Sequence, residues 1–140
     1  MNNINPKLWG PPCWKFLHYV TIAYPDYPTP QDKENVKSFF YSLGGVLPCE
    51  NCQHHFAKNF EKYPLSDKVL SCRYNLVNWL IDIHNDVNAR NGKKIWSYDE
   101  VMDLYTKDNN MNFTINCMTV GLIVLIIVIL LVYLYIKIAK

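Results

Sequence analysis

The feature that most constrains the fold of this 140-residue chain is a helical periodicity of apolar residues that is interrupted by proline and glycine. Apolar residues recur every three or four positions over residues 9–24, 30–43, 48–62, 68–89 and 97–106. Three prolines over 25–30 force an extended connection after the first segment, and Gly45 and Gly92 lie where the second and fourth segments end. No two-residue alternation bounded by turn residues indicates a strand. The sequence therefore predicts an all-α bundle of five helices over residues 1–107.

Two of these helices have recognisable N-capping residues in the sequence. Thr29 is suited to cap the second helix, with Pro30 at its first position. Ser97, followed three residues later by Glu100, predicts a capping box at the start of the fifth helix.

Residues 117–136 are a run of twenty residues without a charge. A helix needs roughly 20 such residues to cross about 30 Å of hydrocarbon, so the run predicts one C-terminal transmembrane helix. A polar linker at 108–116 would precede it, and a short tail at 137–140 would follow. The first residues lack the features of a signal peptide, which favours a tail-anchored single-pass membrane protein with a cytosolic domain. Lys137 and Lys140 weakly favour the opposite orientation.

Charge and cysteine content exclude two classes of protein. Outside the tail, 12 basic side chains balance 12 acidic ones, so no basic field is present to hold nucleic acid. Five cysteines with a single close pair do not describe a small secreted disulfide scaffold.

The close pair lies in the segment Leu47-Pro48-Cys49-Glu50-Asn51-Cys52. Pro48 predicts a helix start that places Cys49 in the first turn, where free N–H groups and the helix dipole favour a thiolate. Cys52, one helical turn further on, is close enough to form a reducible disulfide. The pair therefore indicates redox chemistry.

Two cysteines at this spacing have three other common uses. A structural zinc is disfavoured because His54 and His55 follow but no second Cys-x-x-Cys exists, so no metal is expected. Covalent haem is excluded because Gln53, not histidine, follows Cys52. A thioredoxin-like site would need a strand before the dithiol, and none is visible.

Polar and aromatic residues recur on two other helices. His84 and Asn88 are four residues apart, as are Trp14 and His18, so each pair shares a helical face. Such pairs are often plain core residues. Together with the dithiol they suggest a flat redox cofactor held between helices.

The order of these motifs resembles the Erv/ALR family of FAD-linked sulfhydryl oxidases, over roughly residues 8 to 105. The resemblance rests on Trp9-Gly10-Pro11-Pro12-Cys13-Trp14, Leu17-His18, Tyr24-Pro25, the Leu-Pro-Cys-x-x-Cys segment, Trp79 and His84-Asn85-Asp86-Val87-Asn88. It is strongest to the short members from large DNA viruses. The resemblance implies a four-helix bundle plus a short fifth helix, a homodimer, and FAD against the dithiol.

The resemblance also assigns roles to residues. Cys52 would be the thiol next to the flavin, and Cys49 the thiol that exchanges with substrate. The residues that match family positions around the cofactor are Gly10, Trp14, His18, Tyr24, His84, Asn85, Val87 and Asn88. Arg90 and Lys93 would contact its phosphates, and Trp96 and Tyr98 would be further aromatic contacts.

The chain also departs from the family pattern. Ile81 stands where one cysteine of the usual structural disulfide is expected, and no second Cys-x-x-Cys is present to act as an internal shuttle. Cys13, Cys72 and Cys117 are therefore predicted to be spare thiols that dithiol oxidation does not need.

The predicted function is an FAD-dependent thiol oxidase that makes disulfides in partner proteins, such as a small viral or thioredoxin-like shuttle. Electrons would pass from Cys49 and Cys52 to FAD and then to oxygen, which releases hydrogen peroxide. The site would face the cytosol, on a host membrane and, in a viral protein, on the virion membrane. The alternative is a membrane-anchored interaction module whose dithiol is a regulatory switch without flavin.

Overall fold

The computed structural model describes residues 3–107 and 117–138. All regular structure in these ranges is helical. The helices are α1 (Pro6–Ile22), α2 (Pro30–Val46), α3 (Glu50–Lys62), α4 (Arg73–Arg90), α5 (Tyr98–Thr106) and α6 (Cys117–Ile138), with a 3-10 turn at Val69–Ser71 before α4. The five helices expected before residue 107 are present. Residues 1–110 and 111–140 are two separate compact units.

Side-chain caps define where the helices begin. Thr29 and Asp32 make a reciprocal capping box at the start of α2, and Ser97 and Glu100 make the predicted one at the start of α5. The side chain of Asn5 accepts a hydrogen bond from the N–H of Lys7 at the start of α1. After α4 the chain turns at Gly92, whose φ of +62° is a conformation that glycine adopts without strain.

The expectation of a transmembrane helix over 117–136 is corrected by the structure. No helix in the part of the chain that the structure describes is both long and apolar enough to cross a membrane. The predicted linker at 108–116 lies outside the described residues.

Aromatic contacts join three helices of the first unit around Trp79 of α4. The rings of Phe40 from α2 and Phe60 from α3 meet Trp79 edge to face, at centroid distances of 4.8 and 5.5 Å. The indole N–H of Trp79 donates to the backbone carbonyl of Tyr63 at 2.9 Å, so this buried polar group is satisfied. Trp79 thus holds α2 and α3 against α4.

Tyr24 joins the end of α1 to the start of α4. Its hydroxyl donates to the carbonyl of Leu70 at 3.0 Å, and its own carbonyl accepts from Nε of Arg73 at 2.7 Å. Burial, followed by the charge of Asp32, raises the pKa of Tyr24 to about 12, so the hydroxyl keeps its proton. These contacts keep α1 beside α4, the pair that forms two walls of the cleft described next.

Candidate active site

The two cysteines of the Cys-x-x-Cys segment form a disulfide at the start of α3, with 5.1 Å between their Cα atoms. Cys49 is the N-cap residue, one position before the first turn that the sequence predicted for it. Its Sγ accepts a hydrogen bond from the backbone N–H of Cys52 at 3.2 Å. Once the disulfide is reduced, the same N–H and the positive end of the helix favour a thiolate at Cys49.

Residues 3–5, here called the N-terminal strap, lie across the segment that holds the dithiol. The N–H of Ile4 donates to the carbonyl of Pro48 at 2.8 Å, and the N–H of Glu50 donates to the side chain of Asn3 at 2.9 Å. The indole of Trp9 donates to the carbonyl of Ile4 at 3.1 Å. The strap therefore ties α1 to the first turn of α3, and no sequence motif indicated it.

A cleft of about 1630 Å³ opens beside the disulfide, between α1, α3, α4 and α5. It exceeds the roughly 300–1,000 Å³ of common small-molecule pockets, so it can hold an extended ligand. Eleven of the predicted site residues line it: Gly10, Trp14, His18, Cys49, Cys52, His84, Val87, Asn88, Arg90, Lys93 and Trp96. Packing of α1 against α4 thus brings together side chains that are far apart in sequence.

The remaining three predicted site residues, Tyr24, Asn85 and Tyr98, are not among the residues that line the cleft. Tyr24 holds α1 to α4 as described above. Asn85 exchanges two hydrogen bonds with the backbone of Trp96, at 2.7 and 2.9 Å, and so fixes the segment that carries this cleft residue. Tyr98 packs on Tyr74 at 4.8 Å. In the structure all three contact other protein groups rather than the cleft.

A cluster of rings forms one wall of the cleft. Trp14 stacks on His84 with centroids 4.1 Å apart and planes 6° apart, and Tyr105 stacks on His18 at 4.8 Å. Nε2 of His18 and Nδ1 of His84 share a hydrogen bond of 2.9 Å. Sequence patterns did not indicate Tyr105, because only the packing of α5 against α1 brings it to His18.

Both histidines of this cluster are neutral at pH 7. Burial, followed by the charge of His84, lowers the pKa of His18 to about 3. Burial, followed by the charge of Lys93, lowers the pKa of His84 to about 4. Nδ1 of His18 is buried and has no hydrogen-bond partner among the described residues. This atom is left to pair with whatever enters the cleft.

Basic side chains gather at the end of the cleft formed by the end of α4 and the segment after it. Asp86 pairs with Arg90 and with Lys62, and Glu100 pairs with Lys94 at 2.7 Å. Lys93 also lines the cleft, and within the described residues it has no carboxylate within ion-pairing distance. This end of the cleft is therefore suited to an anionic group.

The other cysteines differ from one another. Cys13 is a free thiol that lines the cleft, and burial raises its pKa. Cys72 is buried and disulfide-bonded, so the interpretation of Cys72 as a spare thiol is wrong. A helical pattern cannot reveal such a bond, because pairing depends on distance in the fold. The side chain of Cys117 lies outside the described residues.

A helical bundle with a dithiol at a helix start and a ring-lined cleft beside it defines a class of cofactor-dependent redox proteins. The model of the Erv1 / Alr family matches residues 11–106 of this chain. The chain therefore belongs to the Erv1/Alr family, as the motifs indicated.

Relatives and solved structures agree with this membership. A probable FAD-linked sulfhydryl oxidase, R368, of Acanthamoeba polyphaga mimivirus is 46% identical over 104 residues, which cover 74% of this chain and 73% of the relative. A putative FAD-linked sulfhydryl oxidase, 347L, of Invertebrate iridescent virus 6 is 34% identical over 68% of this chain and 89% of the relative. The crystal structure of the yeast Erv1 core superposes with a TM-score of 0.68 at 26% identity, over 78% of this chain and 89% of that one.

Proposed function

We propose that the protein is an FAD-linked sulfhydryl oxidase that forms disulfides in dithiol substrates through Cys49 and Cys52. The observation that supports this most directly is the disulfide at the start of α3, which opens on the same cleft as the Trp14–His84 stack. Membership of the Erv1/Alr family and the FAD-linked oxidases among its relatives support the same reaction.

The residues of the cleft fit FAD. A flat ring system can stack on aromatic side chains, and His18 offers a buried ring nitrogen without a partner among the described residues. Lys93 offers a cation to the pyrophosphate of FAD. Trp96 also lines the cleft, and the ammonium of Lys94 lies 4.2 Å from the centroid of its ring. When bound, FAD supplies an acceptor for two electrons and passes them on to oxygen, which yields hydrogen peroxide.

The thiol chemistry belongs to the protein. A substrate thiolate attacks Sγ of Cys49 and breaks the Cys49–Cys52 bond, which leaves Cys52 as a thiolate and the substrate in a mixed disulfide. The second substrate thiolate then attacks the sulfur of the first and expels Cys49. The substrate leaves as a disulfide, and its two electrons remain on the reduced cysteine pair. The N–H groups at the start of α3 stabilise the negative charge on sulfur in both steps.

The substrate in this proposal is a protein dithiol of the kind carried by a small redox shuttle. Cys49 is the residue that exchanges with it in this proposal, because its sulfur lies at the N-cap of α3, where the N–H of Cys52 would stabilise its thiolate. Cys49 and Cys52 form the Cys-x-x-Cys of the sequence, and in this proposal the substrate exchanges with that pair directly.

Purified full-length protein tests the proposal. We expect the visible spectrum of bound flavin and oxygen consumption with dithiothreitol. Cys52→Ser should keep the flavin and lose turnover, because the remaining thiol of Cys49 cannot form the internal disulfide. His54→Gln, a substitution at an exposed residue of the same helix outside the cleft, is the control and should keep both. Oxygen uptake near the normal rate in Cys52→Ser would contradict the assignment, and a chain without flavin would favour a regulatory dithiol instead.

A further inference from the structure

Asn59 of α3 is a buried polar residue whose side-chain Nδ2 is not satisfied by the part of the protein that the structure describes. It is only 2% exposed, and its Nδ2 has no hydrogen-bond partner among the described residues. Its backbone carbonyl accepts a hydrogen bond from the N–H of Tyr63 at 2.7 Å, so the unmet group is the side-chain Nδ2. Asn59 also lines the cleft.

Helix geometry puts Asn59 on the same wall as the dithiol. Cys52, Phe56 and Asn59 follow a spacing of four and then three residues, and all three line the cleft. Seven residues of α-helix rise roughly 10 Å, so Asn59 lies about that far along α3 from Cys52. The ring cluster with the unpartnered nitrogen of His18 belongs to α1, α4 and α5, so Asn59 approaches the cleft from another side.

A buried amide without a partner destabilises a folded protein, and such groups are rare unless a ligand or water completes them. Leucine would fill a similar volume without that cost. An asparagine at this position is therefore explained if a bound ligand supplies the hydrogen-bond acceptor for its Nδ2. Within the described ranges, the protein groups around the cleft do not supply that partner, whereas FAD carries several acceptor oxygens and nitrogens.

We propose that Asn59 binds the cofactor directly, by donating a hydrogen bond from Nδ2 to an acceptor oxygen or nitrogen of FAD. This inference rests on the proposed function, because it needs FAD in the cleft. It adds a contact from the helix that carries the dithiol, and so couples the position of the flavin to that of Cys52.

The test compares the full-length protein with and without FAD. In Asn59→Leu we expect the flavin-free protein to melt at the wild-type temperature or above, because a buried unsatisfied amide has been removed. We expect FAD to bind about fivefold or more weakly, as the loss of one buried hydrogen bond implies. Fluorescence titration of FAD measures this directly and does not depend on turnover.

Asn59→Asp is the second variant, because it keeps the shape of the side chain but removes the N–H donors. It should also weaken FAD binding, and it keeps the test decisive if Asn59→Leu fails to fold. Asn78→Leu is the matched control: Asn78 is half-buried on α4 outside the cleft, and its Nδ2 already donates to the carbonyl of Tyr74 at 2.7 Å. This control should bind FAD as the wild type does.

Two results would overturn the proposal, and they are distinguishable. If the wild type binds FAD and Asn59→Leu binds it equally well, Asn59 does not contact the cofactor, and the proposed function stands. If the wild type itself binds no FAD, the proposed function fails and this contact fails with it.

Discussion

At the scale of single residues, the most informative feature is the hydrogen bond between His18 and His84. One ring nitrogen must donate and the other must accept, so the accepting ring has to be neutral. Burial lowers the pKa of both rings and keeps the donating ring neutral as well, because a charged ring inside the cleft wall would be poorly solvated. The pair therefore stays uncharged near pH 7, and one ring can accept the hydrogen bond that the other donates.

The neutral histidines predict a loss of stability in acid. The pKa of His18 is about 3 in the folded protein and about 6.5 in the unfolded chain. Between these values the unfolded chain binds a proton that the folded protein excludes, so stability is full above pH 6.5 and falls as the pH drops. From pH 7 to pH 5 this histidine should cost about 1 to 2 kcal/mol of unfolding free energy.

Chemical unfolding of the flavin-free protein at pH 7 and pH 5 measures this loss. His18→Gln should reduce the difference between the two pH values, whatever its effect at pH 7. His54→Gln, a substitution at an exposed histidine, is the control and should keep the wild-type difference. An equal pH dependence in His18→Gln and the wild type would show that His18 is not held neutral by the fold.

At the scale of helices, two adjacent glycines near the end of α2 have different surroundings. A Cβ at Gly44 would lie 3.0 Å from Cδ1 of Phe56 on α3, whereas a Cβ at Gly45 would meet nothing within 4 Å. Gly44 is therefore where α2 approaches the helix that carries the dithiol. Phe56 lies between Cys52 and Asn59 along the cleft wall, so this contact also supports the site.

The two glycines predict opposite effects of alanine. Gly45→Ala should raise the unfolding free energy by about 0.5–1 kcal/mol, since alanine favours a helix more than glycine does. Gly44→Ala gains the same preference but must displace the buried ring of Phe56, which typically costs about 1–3 kcal/mol, so it should destabilise the protein. Thermal unfolding of both variants measures the contrast, and equal stabilisation by the two would show that α2 and α3 are not in close contact there.

At the scale of the whole molecule, large apolar side chains are exposed on α1 and α2. Leu8 is 72% exposed and Phe16 58% exposed on α1, and Tyr41 and Val46 are exposed on α2. Exposed apolar side chains often mark an interface between protein chains. Because the family resemblance implies a homodimer, we expect a second copy of this chain to cover the surface around Phe16 of α1.

Sedimentation of the full-length protein tests this proposal. We expect a dimer for the wild type and a shift towards monomer for Phe16→Asp, because a carboxylate would be buried at the interface without a partner. Tyr27→Asp is the control, since Tyr27 is 75% exposed in the connection between α1 and α2. A wild-type monomer, or a Phe16→Asp protein that stays a dimer, would contradict the proposed surface.

What the sequence alone determined is local. The five helices of the first unit, the capping box of Ser97 and Glu100, and the dithiol at a helix start depend on residues within one or two turns of each other, so spacing reveals them. The sequence pattern was misleading in two places, where it was used to infer which cysteines pair and whether a helix can span a membrane. Cys72 had no partner visible in the sequence, and the uncharged run at 117–136 predicted a membrane span that the described helices do not provide.

The tertiary structure alone decided which side chains meet. His18 and His84 are 66 residues apart, and Asn3 reaches Glu50 across 47 residues. It also decided that Tyr24, Asn85 and Tyr98 contact other protein groups and that Asn59 and Tyr105 line the cleft. Periodicity tells which face of a helix is buried, but the partner of that face depends on how helices cross and pack. The cleft arises from that packing, so no segment of the sequence contains it.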